Sequence, residues 1–153
     1  MYAILNADKI KGHQADVVTA RNGEEPLENG AIVALEGLED LGLGRDTYKI
    51  GKLSAETVQW GMVDCVALMY DETKDERDFE LKAEAITRVY RAKKGQGITI
   101  AKKHVNGTVN VGDKLEIKAT SYQLQKHSSG AAVARVLEVY NFEGQDSYYI
   151  EFI

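Results

Sequence analysis

The chain has 153 residues, a formal net charge of −5 and an apolar share of 44%, which suits one domain, or one domain with an arm, and is enough to fill a core. The acidic balance argues against nucleic-acid binding through the overall field. No apolar run approaches the roughly 18 residues of a membrane-spanning helix, and "MYAILNADKIKGHQ" has neither the apolar length nor the cleavage site of a signal peptide.

One proline stands against fourteen glycines, so glycine does the turning, as in hairpins and bulges. Met1 to Gln14 reads as a polar, extended N-terminal arm, and residues 15–153 as a single β-rich domain. "ADVVTA" (Ala15 to Ala20) is a short strand. Arg21 to Gly30 carries two Asn-Gly pairs, which tolerate positive φ and mark turns. "AIVALEG" (Ala31 to Gly37) is a strand, "LEDLGLGRDT" (Leu38 to Thr47) a glycine-punctuated loop, and "YKIGKLS" (Tyr48 to Ser54) an imperfectly alternating strand.

"VQWGMVDCVALMY" (Val58 to Tyr70) is long enough for a helix. Its β-branched and aromatic residues, broken by Gly61, favour two strands or one bent strand. Asp71 to Ala85 is a charged loop, and Ala85 to Lys94 ("AITRVYRAKK") a strand. Gly95 to Ile117 holds two short strand-like runs joined by glycines and lysines. Lys114 to Gln125 reads as one strand that runs on. A turn at "KHSSG" leads to Ala131–Phe142, then the turn "EGQD", then a closing strand with Tyr149, Glu151 and Ile153 on one face. Short strands between glycine turns predict a mainly β chain: a compact β-barrel or β-sandwich with at most a short helix.

Little points to chemistry. Cys65, the sole cysteine, sits among apolar residues in "MVDCVALM" and reads as a small buried hydrophobe. His13, His104 and His127 lie in polar, turn-like settings with no metal-ligand spacing. The carboxylates from Asp71 to Glu84 do not make a calcium loop, because the sixth position is Glu76 and the twelfth is Lys82. Phosphate-cradling glycine motifs and nucleophile elbows are missing. The expectation is a non-enzyme with no cofactor, no metal and no membrane partner.

The one charged contrast is local. Ile86 to Lys118 holds eight Lys/Arg against two acids, whereas Asp71 to Ala85 holds seven acids against three bases. A nucleic-acid-binding barrel of the OB type combines such a basic run with aromatics for base stacking, but Tyr90 is the only aromatic in it. Two other readings fit: lysines that guard exposed strand edges, or adjacent acidic and basic blocks that meet copies of the chain or a mixed-charge partner. The candidate partner-binding residues are Arg88, Tyr90 and Arg91, the residue types of interface anchors, with Lys93, Lys94, Lys102 and Lys103.

The order of elements resembles a known class. "EEPLENGAIVALEG", then "ALMYDETKDERDFELKAEAITRVYRAKKGQGITIA", then "GTVNVGDKLEI" resemble head decoration and capsid-associated proteins of tailed bacteriophages. In those, a Tyr-Asp phrase precedes an acidic loop, an Arg-x-Tyr strand follows, and a glycine turn leads to a Val-Gly-Asp barrel phrase. The resemblance covers roughly Gly30 to Ile117, and the chain is longer and poorer in proline than the small lambda-type decoration proteins. It implies a virion structural protein on the capsid surface, assembled in the host cytoplasm. Its partners would be the major capsid protein and neighbouring copies of itself, with nucleic acid disfavoured. The alternative is an OB-like nucleic-acid-binding barrel using residues 86–118.

Overall fold

The run Ala31–Leu35 is apolar at every position. A strand loses its polar–apolar alternation when both of its faces are covered. The computed structural model describes residues 5–7, 16–39, 46–65, 73 and 79–153, and it places this run in such a strand. The chain order is β1 (Leu5–Asn6), β2 (Val17–Arg21), β3 (Ile32–Glu39), β4 (Thr47–Gly51), β5 (Trp60–Val63) and β6 (Ile86–Arg91). After these come β7 (Gly97–Ala101), a single 3-10 turn (Lys102–His104), β8 (Val105–Asn106), β9 (Lys114–Ile117), β10 (Leu124–Lys126), β11 (Ala132–Phe142) and β12 (Gln145–Phe152). The expected mainly β fold is present, with that one turn as its helical element among the described residues.

The strands form two sheets. β2–β4–β3–β5–β6 close into a five-stranded barrel, and β1–β7–β12–β11–β9–β10–β8 make an open seven-stranded sheet. In the barrel only β2 and β4 run parallel. Along β3 and β5 the side chains alternate between two cores. Ile32, Ala34, Trp60 and Met62 face the larger core with Ile98, Ile100, Leu115, Val136, Tyr148 and Ile150 of the sheet. Val33, Leu35 and Val63 face the barrel interior with Ala20, Ile50 and Val89. β3 and β5 are therefore a shared wall. On the sheet side of it, Trp60 meets Phe152 of β12 edge to face, with ring centroids 5.4 Å apart.

The barrel is narrow. A Cβ at Gly61 would run into the Tyr90 carbonyl oxygen and the Val89 side chain. The gap in "WGMV" that suggested a bend is instead a point of close backbone approach inside a barrel too small for a side chain there. Leu27 and Leu81 add to the barrel core from outside the named strands; they form an isolated bridge and hydrogen-bond to each other in both directions.

Two expectations change, and the structure adds detail to two other segments. β3 does not stop at Gly37 but bulges there, at φ +148°, and continues to Glu39, because a glycine in that region bends a strand without ending it. Lys114–Gln125 is two strands, β9 and β10, not one: Thr120 at φ +58° and the Ser121 Oγ–Lys118 O bond turn the chain between them. Within the N-terminal arm, Leu5 and Asn6 pair antiparallel with Ile100 and Thr99 of this chain's own β7, and Leu5 and Ala7 pack on the larger core. The acidic run from Asp71 falls, up to residue 78, outside the described residues apart from Thr73, whereas Phe79 and Leu81 at its end serve the barrel core.

Replacing Gly61 with alanine forces a methyl group into backbone and a β-branched side chain, an overpacking of the kind that costs about 1–3 kcal/mol. Urea denaturation of Gly61→Ala is expected to show a loss of about 2 kcal/mol or more with an unchanged slope. A loss below about 0.5 kcal/mol would mean that the barrel interior is not closed at this point.

Candidate functional site

The three residues expected to anchor a partner all lie on β6, where alternation sends them to different places. Tyr90 pairs with Met62 across the sheet and packs against the larger core. Arg91 lies on the barrel side, opposite Gly61. Its guanidinium stacks over the Tyr48 ring at 5.3 Å, donates to Tyr48 Oη at 2.9 Å and sits 3.5 Å from the Asp16 carboxylate. Arg88 alone is exposed, and it holds Asp64 through two hydrogen bonds, one to the carboxylate at 2.9 Å and one to the backbone carbonyl.

The four lysines do not form one patch. Lys93 and Lys94 precede β7 and Lys102 and Lys103 follow it, so about 17 Å of strand separates the pairs at roughly 3.3 Å per residue. Lys93 shares Asp16 with Arg91, at 3.6 Å. Lys103 forms an ion pair with Glu28, whose side chain is only 10% exposed. Lys94 and Lys102 have no ion-pair partner among the described residues. The basic run of the sequence is thus dispersed, and four of its eight cations are paired locally, with three carboxylates between them.

Two polar junctions carry no motif in the sequence: the first unites residues distant in the chain, and the second is closed by the backbone of a turn. The first centres on Asn29. Its side-chain amide clamps the Cys65 backbone, donating to the carbonyl at 2.9 Å and accepting from the N–H at 2.7 Å. Its own carbonyl accepts a hydrogen bond from His104 Nε2 at 3.0 Å. His104 is buried, contrary to the turn-like surface setting its neighbours suggested. Burial pushes its imidazole down to about 4; the bond to Asn29 opposes that shift, and the Lys103 charge adds to it. Cys65, read as a buried hydrophobe, is partly exposed and packs on the barrel core.

The second junction is the buried carboxylate of Glu116 on β9. Gln125 donates to one oxygen at 2.8 Å, and the successive backbone N–H groups of Ser128, Ser129 and Gly130 converge on the other. His127 Nδ1 lies 3.0 Å from that second oxygen. These donors, Gln125 first, hold the carboxyl down to about 2 against the opposing effect of burial. The "KHSSG" turn is therefore wrapped around a carboxylate, a backbone nest filled from inside the molecule.

The open surface lies elsewhere. Beyond Leu35, β3 has left β5: the β3–β5 pairs end at Ala34 and Trp60, whereas pairing with β4 continues to Glu39. The gap between Glu36–Leu38 and Ser54–Gln59 is a groove of about 590 Å³. Leu38, 60% exposed, and Val58, 90% exposed, line it beside Tyr48. Lys52 also reaches it, but is held 2.7 Å from Glu25. Among the described residues, no group of His, Cys, Asp and Glu side chains is arranged to hold a metal ion. No protein-family model, no curated protein and no solved structure matches the chain.

The two junctions set the acid response. In the unfolded chain His104 takes its proton near pH 6.5, while the folded chain resists until about 4. The unfolded state therefore binds the proton first, and stability falls as the pH drops between those values, by on the order of 3 kcal/mol. Glu116 is ionised in the folded state down to about 2 but protonates near 4.5 when unfolded, so its contribution is present above 4.5 and is lost below it. In urea midpoints measured from pH 7 to pH 2.5, His104→Gln should flatten the upper part of the slope and Glu116→Gln the lower part. Slopes unchanged in both variants would remove these groups from the account.

Proposed function

We propose that the protein is a structural assembly module, and that its setting is the outer surface of a tailed-phage capsid, where it cements neighbouring major-capsid subunits. The observation that carries this reading is the local pairing of charge. Arg88 with Asp64, Arg91 and Lys93 with Asp16, and Lys103 with Glu28 set plus beside minus for half of the cations in the basic stretch. A polyanion gains from unpaired cations whose counterions it releases; a protein neighbour with mixed charge gains from alternating signs. The stacked aromatic row of a single-strand binder has no counterpart at β6, since Tyr90 is committed to the core. A stiff, glycine-turned β unit repeated over a shell also suits a cement: many weak contacts made by symmetric copies add up. The phage setting itself rests on the resemblance in residues 30–117.

Co-sedimentation with an expanded capsid shell tests this, with double-stranded DNA as the competing target. Lys94→Glu and Lys102→Glu are the informative substitutions, because neither breaks an internal ion pair. The double variant is expected to pellet with the shell within a few-fold of the parent, and neither protein should be retained on DNA at 50 mM salt. Retention of the parent on DNA that falls steeply with salt and vanishes in the double variant would transfer the reading to the nucleic-acid alternative.

A further inference from the structure

The groove beside β3 joins three features that seldom meet on a surface left to water. The first is a strand edge. Beyond the bulge at Glu36, Gly37–Glu39 pairs with β4 on one side, and on the other no strand pairs with it among the described residues. An open edge is a template for another strand. The second is apolar exposure at that edge: Leu38 and Val58 line the groove from its two sides, and Tyr48 on β4 lies directly across from Leu38. The third is charge. Glu36 and Glu56 line the groove without a hydrogen-bond or ion-pair partner among the described residues, and the one cation there, Lys52, is committed to Glu25. The groove therefore has an uncompensated negative rim around an apolar floor.

We propose that this groove receives an extended, cationic segment of a partner protein, which adds as a strand along Glu36–Glu39. Its backbone takes the free edge, alternate apolar side chains lie on Leu38 and Val58, and the lysines or arginines between them meet Glu36 and Glu56. Main-chain pairing supplies affinity and the alternate side chains supply selection, as in other strand-addition sites. The bulge at Gly37 sets this up, because it turns the strand away from β5 and re-aims the residues that follow. The inference is independent of the capsid reading: it concerns the chemistry of the segment bound, wherever the partner resides.

The probe is the acetylated, amidated hexapeptide Lys-Val-Lys-Val-Lys-Val, titrated into the full ¹⁵N-labelled chain. Two companions accompany it: the same peptide with Glu for Lys, and one with Pro for the central Val. Expected are amide shifts confined to residues 36–39 and 54–59, with at least tenfold weaker binding of the acidic and proline peptides. Val58→Ser, at a position too exposed to affect folding, should weaken binding several-fold, and Glu36→Gln with Glu56→Gln about fivefold. The proposal is overturned if the shifts fall elsewhere, if the acidic or proline peptide binds equally, or if no shift appears at millimolar peptide. It is also overturned if the same amides shift with protein concentration alone, which would make a second copy of the chain the occupant.

Discussion

The wall made by β3 and β5 is the constraint on which the rest of the structure depends. Both faces of β5 and of the Ile32–Leu35 half of β3 are buried, one in the barrel and one against the seven-stranded sheet. Neither sheet is then complete alone. Without the wall, the barrel would lack two of its five strands, and the sheet would leave Ile98, Ile100, Val136 and Ile150 without a cover. Burial of a large aliphatic side chain contributes roughly 1.5–3 kcal/mol, so a wall that fills two cores contributes to each with the same few residues. The same economy explains Gly61. A strand serving two cores must fit both, and the barrel side leaves no volume for a methyl group.

The polar junctions act on this frame. The wall fixes where the barrel meets the sheet, and Asn29 fastens the loops around that meeting point, with one hand on the Cys65 backbone and the other on His104 of the 3-10 turn. A buried hydrogen bond left half made costs about 1–3 kcal/mol, more than a typical exposed ion pair contributes. The surface pairs at Arg88, Lys52 and Lys126 are therefore weak terms in stability. Within residues 86–118 the pairs of Arg88, Arg91, Lys93 and Lys103 reduce the positive field that the sequence suggests.

Much of the fold was legible because strands and turns are local. "ADVVTA", "YKIGKLS", "GITIA" and "AAVARVLEVYNF" each hold the strand that their pattern indicates, and the glycine turn before Gln145 closes the last hairpin. What could not be read depends on pairing between distant segments. The run around Arg88, Tyr90 and Arg91 gives the residue types of an anchor, but only the register of β6 against β5 shows that Tyr90 and Arg91 turn toward the two cores. Likewise, lysines adjacent in sequence are separated by the whole of β7. Leu38 looked like a loop residue because glycines follow it, yet the signal was present: Gly37 lies inside an apolar–acidic alternation that continues through Glu39. A glycine within such a pattern marks a bulge at least as often as an end.

The bulge links the wall to the surface. β5 begins only at Trp60, so β3, already paired with it from Ile32, must outrun it. Natural sheets guard such an overhang with charge, a bulge or a short length, and all three are present here: Glu36 and Glu39, the Gly37 kink, and an overhang of only a few residues. Guarding alone, however, would not place Leu38 and Val58 on the two banks of the gap. An edge protected only against pairing gains nothing from exposed aliphatic side chains, which add to the hazard the charges are there to reduce. Glu39 is already tied to Arg21, leaving Glu36 and Glu56 as the charges that face the groove. A rim that repels acidic strands while its floor attracts apolar ones discriminates among partners, because specificity needs the repulsive element together with the attractive one.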